Sequence, residues 1–504
     1  MLRPWEINIA IVRNSGTSIH VQIAQHIINN IQSGRFTAGN ALPGSRGLAG
    51  KIKVNRKTVI QAYEELVAQG WLISENKRGT FISAKADSIR PSLTAKTANL
   101  TLASPLTESA KPVNRQAHDH IHFNEGLVDN RLIPFEIMAR AMRHALILST
   151  RHPQPHHSDP KGDPNLRLAI TQMLNLERGL NASIDHTCML SSKQIGVFVL
   201  AKSLIKTNDF VVFEQLSNPL ARAAFNDCGA NILNVAHDDE GIDMANLELL
   251  CVQYKIRAIY VTPQHQIPTT ACMSTSRRQA LLALAAQYHF LIIEDDAGHE
   301  YHFNNTAMLP IASQPESKNI IYLGSISSLT GSAFNLGYMV ANREVIDLCA
   351  QQINLIDKQG QQINQIAMTE LLKNGEIKRH SARTLKIYQA RRACMAELLK
   401  KELAEYVRFR LPESGLAIWL EVSPSINIAT LLADAATEKV SFTPGNHYSS
   451  SKHQLSTIRL GYAHLNEAEM ALGIQRLKTA FMCQQENTAR LNSVKLVVNY
   501  SHTG

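Results

Sequence analysis

Near the N-terminus, nine residues are typed and spaced to meet a polyanion. They fall in three groups: Ser45-Arg46, Asn55-Arg56-Lys57-Thr58 and Lys77-Arg78-Gly79. Guanidinium and ammonium groups neutralise phosphates, while Asn, Ser and Thr hydrogen-bond phosphate oxygens or base edges. A glycine lets the backbone approach a phosphate closely. Residues 1–83 carry ten Lys/Arg against four Glu, a net +6 of the whole chain's +9, so the positive excess is concentrated at this end. That distribution points to nucleic acid. A second set of reactive types lies far along the chain. It comprises His265 and Gln266 in VTPQHQIPTTACMS (261–274), Asp295 in LIIEDDAGHEY (291–301), Ser327, Ser328 and Asn335 in YLGSISSLTGSAFNLGY (322–338), and Arg459 in TIRLGYAHL (457–465).

These residues need elements to position them. Ile19, Ile23, Ile27 and Ile31 recur every four residues and predict one helix face, closed by Gly34. Leu42-Pro43-Gly44 is a turn into a second short helix with Ser45 as its N-cap, and Asn55 caps a third whose inner face is Val59, Ala62, Tyr63 and Leu66. Trp71-Leu72-Ile73 and Thr80-Phe81-Ile82 read as two strands joined by a basic turn. Three helices and a hairpin make a winged helix-turn-helix, an α+β unit over 10–83. Residues 84–118 are rich in Ser, Thr, Ala and Pro without amphipathic period and read as a flexible linker. From 119 to 480, apolar runs such as FVVF (210–213), AIYVT (258–262) and FLIIE (290–294) alternate with helical stretches such as 165–178 and 275–287. Buried strands separated by helices predict an α/β domain with a mostly parallel sheet. Residues 481–504 read as a polar tail with one strand-like run and no assignable role.

Composition removes several classes. At 44% apolar and 18% charged residues, the 504-residue chain is globular and long enough for more than one core. No apolar stretch reaches a membrane span, so a cytoplasmic protein without membrane partners is expected. The seven cysteines show no CxxC pair and no His at zinc spacing, and read as reduced packing residues with no metal site.

The run from Gly34 to Ala49, the V-x-R-x-TV start at Val54 and the GTF wing at Gly79 resemble the GntR-type winged helix throughout, with Gly44 where Ser is usual. That resemblance implies a transcription factor bound to a double-stranded DNA operator. The later segments, with DPKGDPNLRLAITQMLNLERGL (159–180), resemble fold-type I aminotransferases in the version fused to a GntR head, the MocR type.

In that family a lysine forms an imine with pyridoxal phosphate, a carboxylate holds the ring nitrogen protonated, and an arginine grips the substrate carboxylate. The resemblance puts Asp295 at the ring-nitrogen position, His265 and Gln266 beside the ring, and Arg459 at the substrate carboxylate. It also puts Ser328 where the lysine belongs, Asn335 at the phosphate arginine, Asn218 at the ring-stacking aromatic and Ala297 at a tyrosine. The phosphate loop reads Ser191-Ser192-Lys193-Gln194, and no lysine occurs from 319 to 357 to restore the amine by a shift of register. A hydroxyl forms no stable imine and cannot shuttle the proton at the substrate carbon. A domain kept for dimerisation or effector sensing, without catalysis, is therefore expected. The candidate pocket is Gln194, His265, Gln266, Asp295, Ser327, Ser328, Asn335 and Arg459. Its effector is pyridoxal phosphate held without an imine, an amino acid, or another compound. The alternative is a pyridoxal phosphate enzyme or imine-forming sensor using an unconventional lysine such as Lys193.

Overall fold

The computed structural model describes residues 7, 9–13, 15–75, 78–84, 119–151, 159–303, 308–315, 317, 319–331, 333–357, 361–450 and 454–500, with backbone alone at 151 and 485–500. The predicted linker, apart from residue 84, and Lys77 lie outside the described residues. The chain divides into two compact units, 1–113 and 114–504.

The first unit is α1 (Ile19–Gln32), α2 (Ser45–Ile52), α3 (Arg56–Ala68), β1 (Leu72–Glu75) and β2 (Gly79–Ile82). Its core is the predicted one: Ile23, Ile27 and Ile31 meet Leu48, Val59, Ala62, Leu66 and Leu72. β1 and β2 pair antiparallel, Leu72 opposite Ile82 and Glu75 opposite Gly79. The turn residue Gly79 takes φ +121°, a backbone region that side chains disfavour. One local expectation fails. Gly44, at φ −60°, is the N-cap of α2, and Ser45 is already its first helical residue.

The second unit is built on a seven-stranded sheet. Its strands are β3 (Thr187–Leu190), β4 (Phe210–Glu214), β5 (Asn231–Val235), β6 (Ile256–Val261), β7 (Leu291–Asp295), β8 (Ile320–Ser325) and β9 (Gly337–Val340), in the order β3-β9-β8-β7-β6-β4-β5. Only β9 runs against its neighbours, as the mostly parallel expectation requires. One face packs on α6 (Lys193–Leu204), the helix Pro219–Asp227 and the helix Arg343–Ile356. The other packs on α4 (Phe135–Arg151), α5 (Pro164–Arg178), the helix Met244–Gln253 and the helix Thr275–Tyr288. Coverage of both faces explains why the strands are apolar runs without alternation.

A smaller antiparallel sheet, containing Ala417–Val422 and Thr457–Gly461, packs on the helices Glu376–Glu402 and Glu467–Tyr500. The last of these corrects the strand-like expectation for the C-terminus. The backbone is one continuous helix to Tyr500, because extending an established helix fixes fewer dihedrals per hydrogen bond than starting a new element, and β propensity is weak without a partner strand.

Candidate functional site

The basic site is organised by caps and short ties. Asn55 Oδ1 accepts from the Lys57 amide at 2.9 Å and so opens α3, whose inner face buries Val59, Ala62, Tyr63 and Leu66. Arg56 Nε donates to Ser45 Oγ at 3.3 Å, joining the start of α3 to the start of α2. The Tyr63 hydroxyl donates to the Pro43 carbonyl at 2.8 Å, and the Leu42 amide to the Thr80 carbonyl at 2.9 Å, which holds the hairpin to the same turn. Arg46, Asn55, Arg56, Lys57, Arg78 and Gly79 are exposed, with Ser45 and Thr58 half-buried. Arg46 and Lys57 have no ion-pair partner among the described residues. Arg78 pairs with Glu75 at 2.5 Å, an exposed contact that salt screens.

The second site sits at the C-terminal ends of the parallel strands, where open α/β sheets place their ligands. Strand alternation sorts three consecutive acids onto two faces. Asp295 shares a face with Ile293, whose partner in register is Tyr260. The Tyr260 hydroxyl donates to Asp295 Oδ2 at 2.5 Å, and Lys193, in the first turn of α6, donates to Oδ1 at 2.7 Å. Asp295 is fully buried and the Lys193 side chain a quarter exposed. Glu294 and Asp296 belong to the opposite face. Asp296 receives a bidentate contact from Arg178 (Nε 3.0 Å, Nη2 2.8 Å) and the Tyr322 hydroxyl. Glu294 accepts from the amides of Ile311 and Ala312, while burial pushes its carboxyl up to about 7.

His265 and Arg459 form a second group. Arg459 Nη2 lies 3.4 Å from His265 Nε2, and its Nη1 donates to the Pro268 carbonyl. His265 Nδ1 is 3.5 Å from Ser414 Oγ. Burial first, then the Arg459 charge, hold the imidazole down at about 3, so it is neutral at ordinary pH. Arg459 is buried, its Nε has no hydrogen-bond partner, and no carboxylate pairs with it among the described residues. Gly415 packs against the His265 ring, where a Cβ would come within 2.3 Å of it. Gln266 donates to Glu214 Oε2 at 3.2 Å and to the Leu216 carbonyl at 2.6 Å. Glu214 is itself buried, which pushes its carboxyl up to about 8. Thr270, on the same loop, adopts φ +65°.

The remaining expected residues are spent locally. Ser328 Oγ donates to Glu300 Oε1 at 2.5 Å, and its carbonyl accepts from the Tyr301 hydroxyl at 2.8 Å. Ser327 Oγ donates to Asn335 Oδ1 at 3.0 Å. Gln194 donates to the Leu220 carbonyl at 3.1 Å. Asn218 is the N-cap of the helix Pro219–Asp227, accepting from the Leu220 and Ala221 amides, and Ser192 caps α6 by accepting from the Ile195 amide. The structure thus joins Asp295 to Lys193, His265 to Arg459 and Ser327 to Asn335, and ties Gln194, Gln266 and Ser328 to groups outside the candidate set. Tyr260, Glu214 and Glu300 were missed by sequence reasoning. Tyr260 lay inside an apolar run where nothing marks a hydroxyl as functional, and the two glutamates, Glu214 four residues before Asn218 and Glu300 within LIIEDDAGHEY, were given no role.

Pyridoxal phosphate held in the family's manner would need an amine at 328, a cation at 335, an aromatic at 218 and an Asp295 open to the ring nitrogen. The residues present do not fit. Ser328 and Asn335 carry neither charge nor amine, Asn218 is turned into a helix cap, and Asp295 already holds an ammonium. Among the described residues no cluster of His, Cys, Asp and Glu could hold a metal ion, and no helix is long and apolar enough to cross a membrane.

Comparison with known proteins agrees with this two-part construction. Residues 19–82 match the bacterial regulatory proteins of the gntR family, and residues 122–477 match aminotransferase class I and II. The chain belongs to the aminotransferase class I and II family through its second unit, joined to a GntR winged helix. It is a DNA-binding transcriptional regulator of the MocR type with an aminotransferase-like domain. The HTH-type transcriptional regulator YdeL of Bacillus subtilis is 26% identical over 92% of this chain and 96% of its own length. MocR of Rhizobium meliloti is 24% identical over 95% and 96%. Among solved structures, the α-aminoadipate aminotransferase LysN of Thermus thermophilus superposes with a TM-score of 0.68 at 25% identity, covering 73% of this chain and 93% of that one; it was crystallised with N-(5'-phosphopyridoxyl)-L-leucine.

Proposed function

We propose that this regulator reads DNA through Ser45, Arg46, Asn55, Arg56, Lys57, Thr58, Lys77, Arg78 and Gly79, as a homodimer whose heads meet two half-sites. Its aminotransferase-like domain dimerises and senses a small effector without transamination. Ser328 carries the second part of this proposal: at the position of the imine-forming lysine stands a hydroxyl already bonded to Glu300. Arg459 supports the sensing role, because a buried guanidinium without a carboxylate is costly until a ligand supplies one. The effector is accordingly a small molecule bearing a carboxylate or another anionic group.

Lys193 favours the rival, an imine-forming sensor or enzyme, because it brings an amine to Asp295. Its bond to Asp295 opposes that role, since an imine needs the neutral amine. Pyridoxal phosphate titration with borohydride reduction and peptide mapping separates the two. No unique labelled lysine is the expected result; specific labelling of Lys193 would overturn the non-catalytic assignment.

A further inference from the structure

Three of the pocket's replaced residues have found partners within the chain. Asn218 caps a helix, Asn335 accepts from Ser327, and Ser328 donates to Glu300. Lys193 makes the largest change. Its place at the start of α6 is fixed by the Ser192 cap and by the close backing of Gly337, where a Cβ would stand 2.7 Å from the Lys193 amide nitrogen. From there its chain reaches across to a fully buried carboxylate on a neighbouring part of the sheet.

We propose that Lys193 is a resident counter-ion: its ammonium takes the place on Asp295 that a protonated pyridine nitrogen would occupy, so the pocket is complete without pyridoxal phosphate and excludes ring cations. This role rests on the regulatory function proposed above and specifies the ligand class of the same pocket. A buried carboxylate stabilises one cation in contact, whereas two cations at one such group repel in a medium that screens poorly. Both Asp295 oxygens are already engaged, Oδ1 by Lys193 and Oδ2 by the Tyr260 hydroxyl. An incoming pyridinium would have to displace the ammonium while gaining no lysine imine at 328 and no arginine at 335 in return. With Asp295 paired from within, Arg459 remains a buried cation whose Nε has no hydrogen-bond partner, and it is the group that would receive an anion.

The test is equilibrium titration of the purified full-length protein with pyridoxamine 5'-phosphate, which keeps the ring nitrogen but has no aldehyde and so reports ring recognition apart from imine chemistry. Lys193→Ala should bind it at least about tenfold tighter than the parent protein. Adding Asp295→Asn to that variant should abolish the gain. Equal binding by the parent and Lys193→Ala, or a gain that survives Asp295→Asn, would overturn the proposal. If Lys193→Ala folds poorly, its thermal midpoint is read instead. Recovery with pyridoxamine 5'-phosphate, or in Lys193→Met/Asp295→Asn, is the expected outcome, and recovery with neither refutes the counter-ion role. Binding by the parent protein would leave operator recognition untouched, whereas failure of operator recognition would leave these titrations unchanged.

Discussion

In the winged helix the polar residues of the basic face are mostly exposed, and several are unspent; in the aminotransferase-like unit the three acids at the strand end are buried and bonded to neighbours. Arg46, Arg56 and Lys57 are exposed on helices whose stability comes from an apolar face on the other side. Asp295, Asp296, Glu294 and Arg178 are buried, and each is satisfied by a named neighbour. A surface that reads a polyanion must leave its donors to water until the partner arrives. A buried charge at low dielectric is costly, so a pocket that has lost cofactor contacts gains from internal partners, as Asp295 does from Lys193. Cationic side chains in the two regions should therefore fail differently when removed.

Removing Arg178 sharpens that contrast most. Arg178→Met leaves Asp296 buried without its bidentate partner and should cost about 3–5 kcal/mol of stability in a urea titration. A loss below about 1 kcal/mol, as for exposed pairs, would break the distinction. Arg56→Ala should instead leave the unfolding curve unchanged and weaken operator binding by about 1–3 kcal/mol in a mobility-shift titration, given a bidentate base contact. A matching loss of stability would mean that the Ser45 tie matters more than DNA.

A further contrast is one of pH. Burial raises the Glu214 carboxyl to about 8 in the folded protein, so between the ordinary carboxyl range near 4.5 and that value the folded state holds a proton which the unfolded chain has released. The contribution of the neutral form is complete below that window and is lost as pH rises through it, at up to about 1.4 kcal/mol per pH unit. Glu214→Gln, unable to titrate, should flatten the decline in thermal midpoint between pH 5 and pH 8; an unchanged slope would show that Glu214 is not the group responsible.

Much of this was legible in the residues. The four-residue spacing of Ile19 to Ile31, the Asn55 cap and the basic hairpin arise from local periodicity and local hydrogen bonds, which a chain carries wherever it folds. The caps by Ser192 and Asn218 are equally local in the structure, but the resemblance assigned those positions to cofactor contacts, and only the backbone showed helices beginning there. The C-terminal helix was missed because its β-branched run carries only a weak propensity, overridden once a helix is already growing from Glu467.

By itself the sequence determined the two-unit architecture, the basic face and the absence of a lysine from 319 to 357, because all three depend on which residues are present and how they repeat. Only the tertiary structure decided what the substituted pocket became. Lys193 and Asp295 stand 102 positions apart, and their 2.7 Å contact exists because the parallel sheet brings the end of β7 to the start of α6. Such a pairing leaves no trace in local spacing. It follows from the cost of burying a charge alone, a cost that arises only once the chain has closed around it.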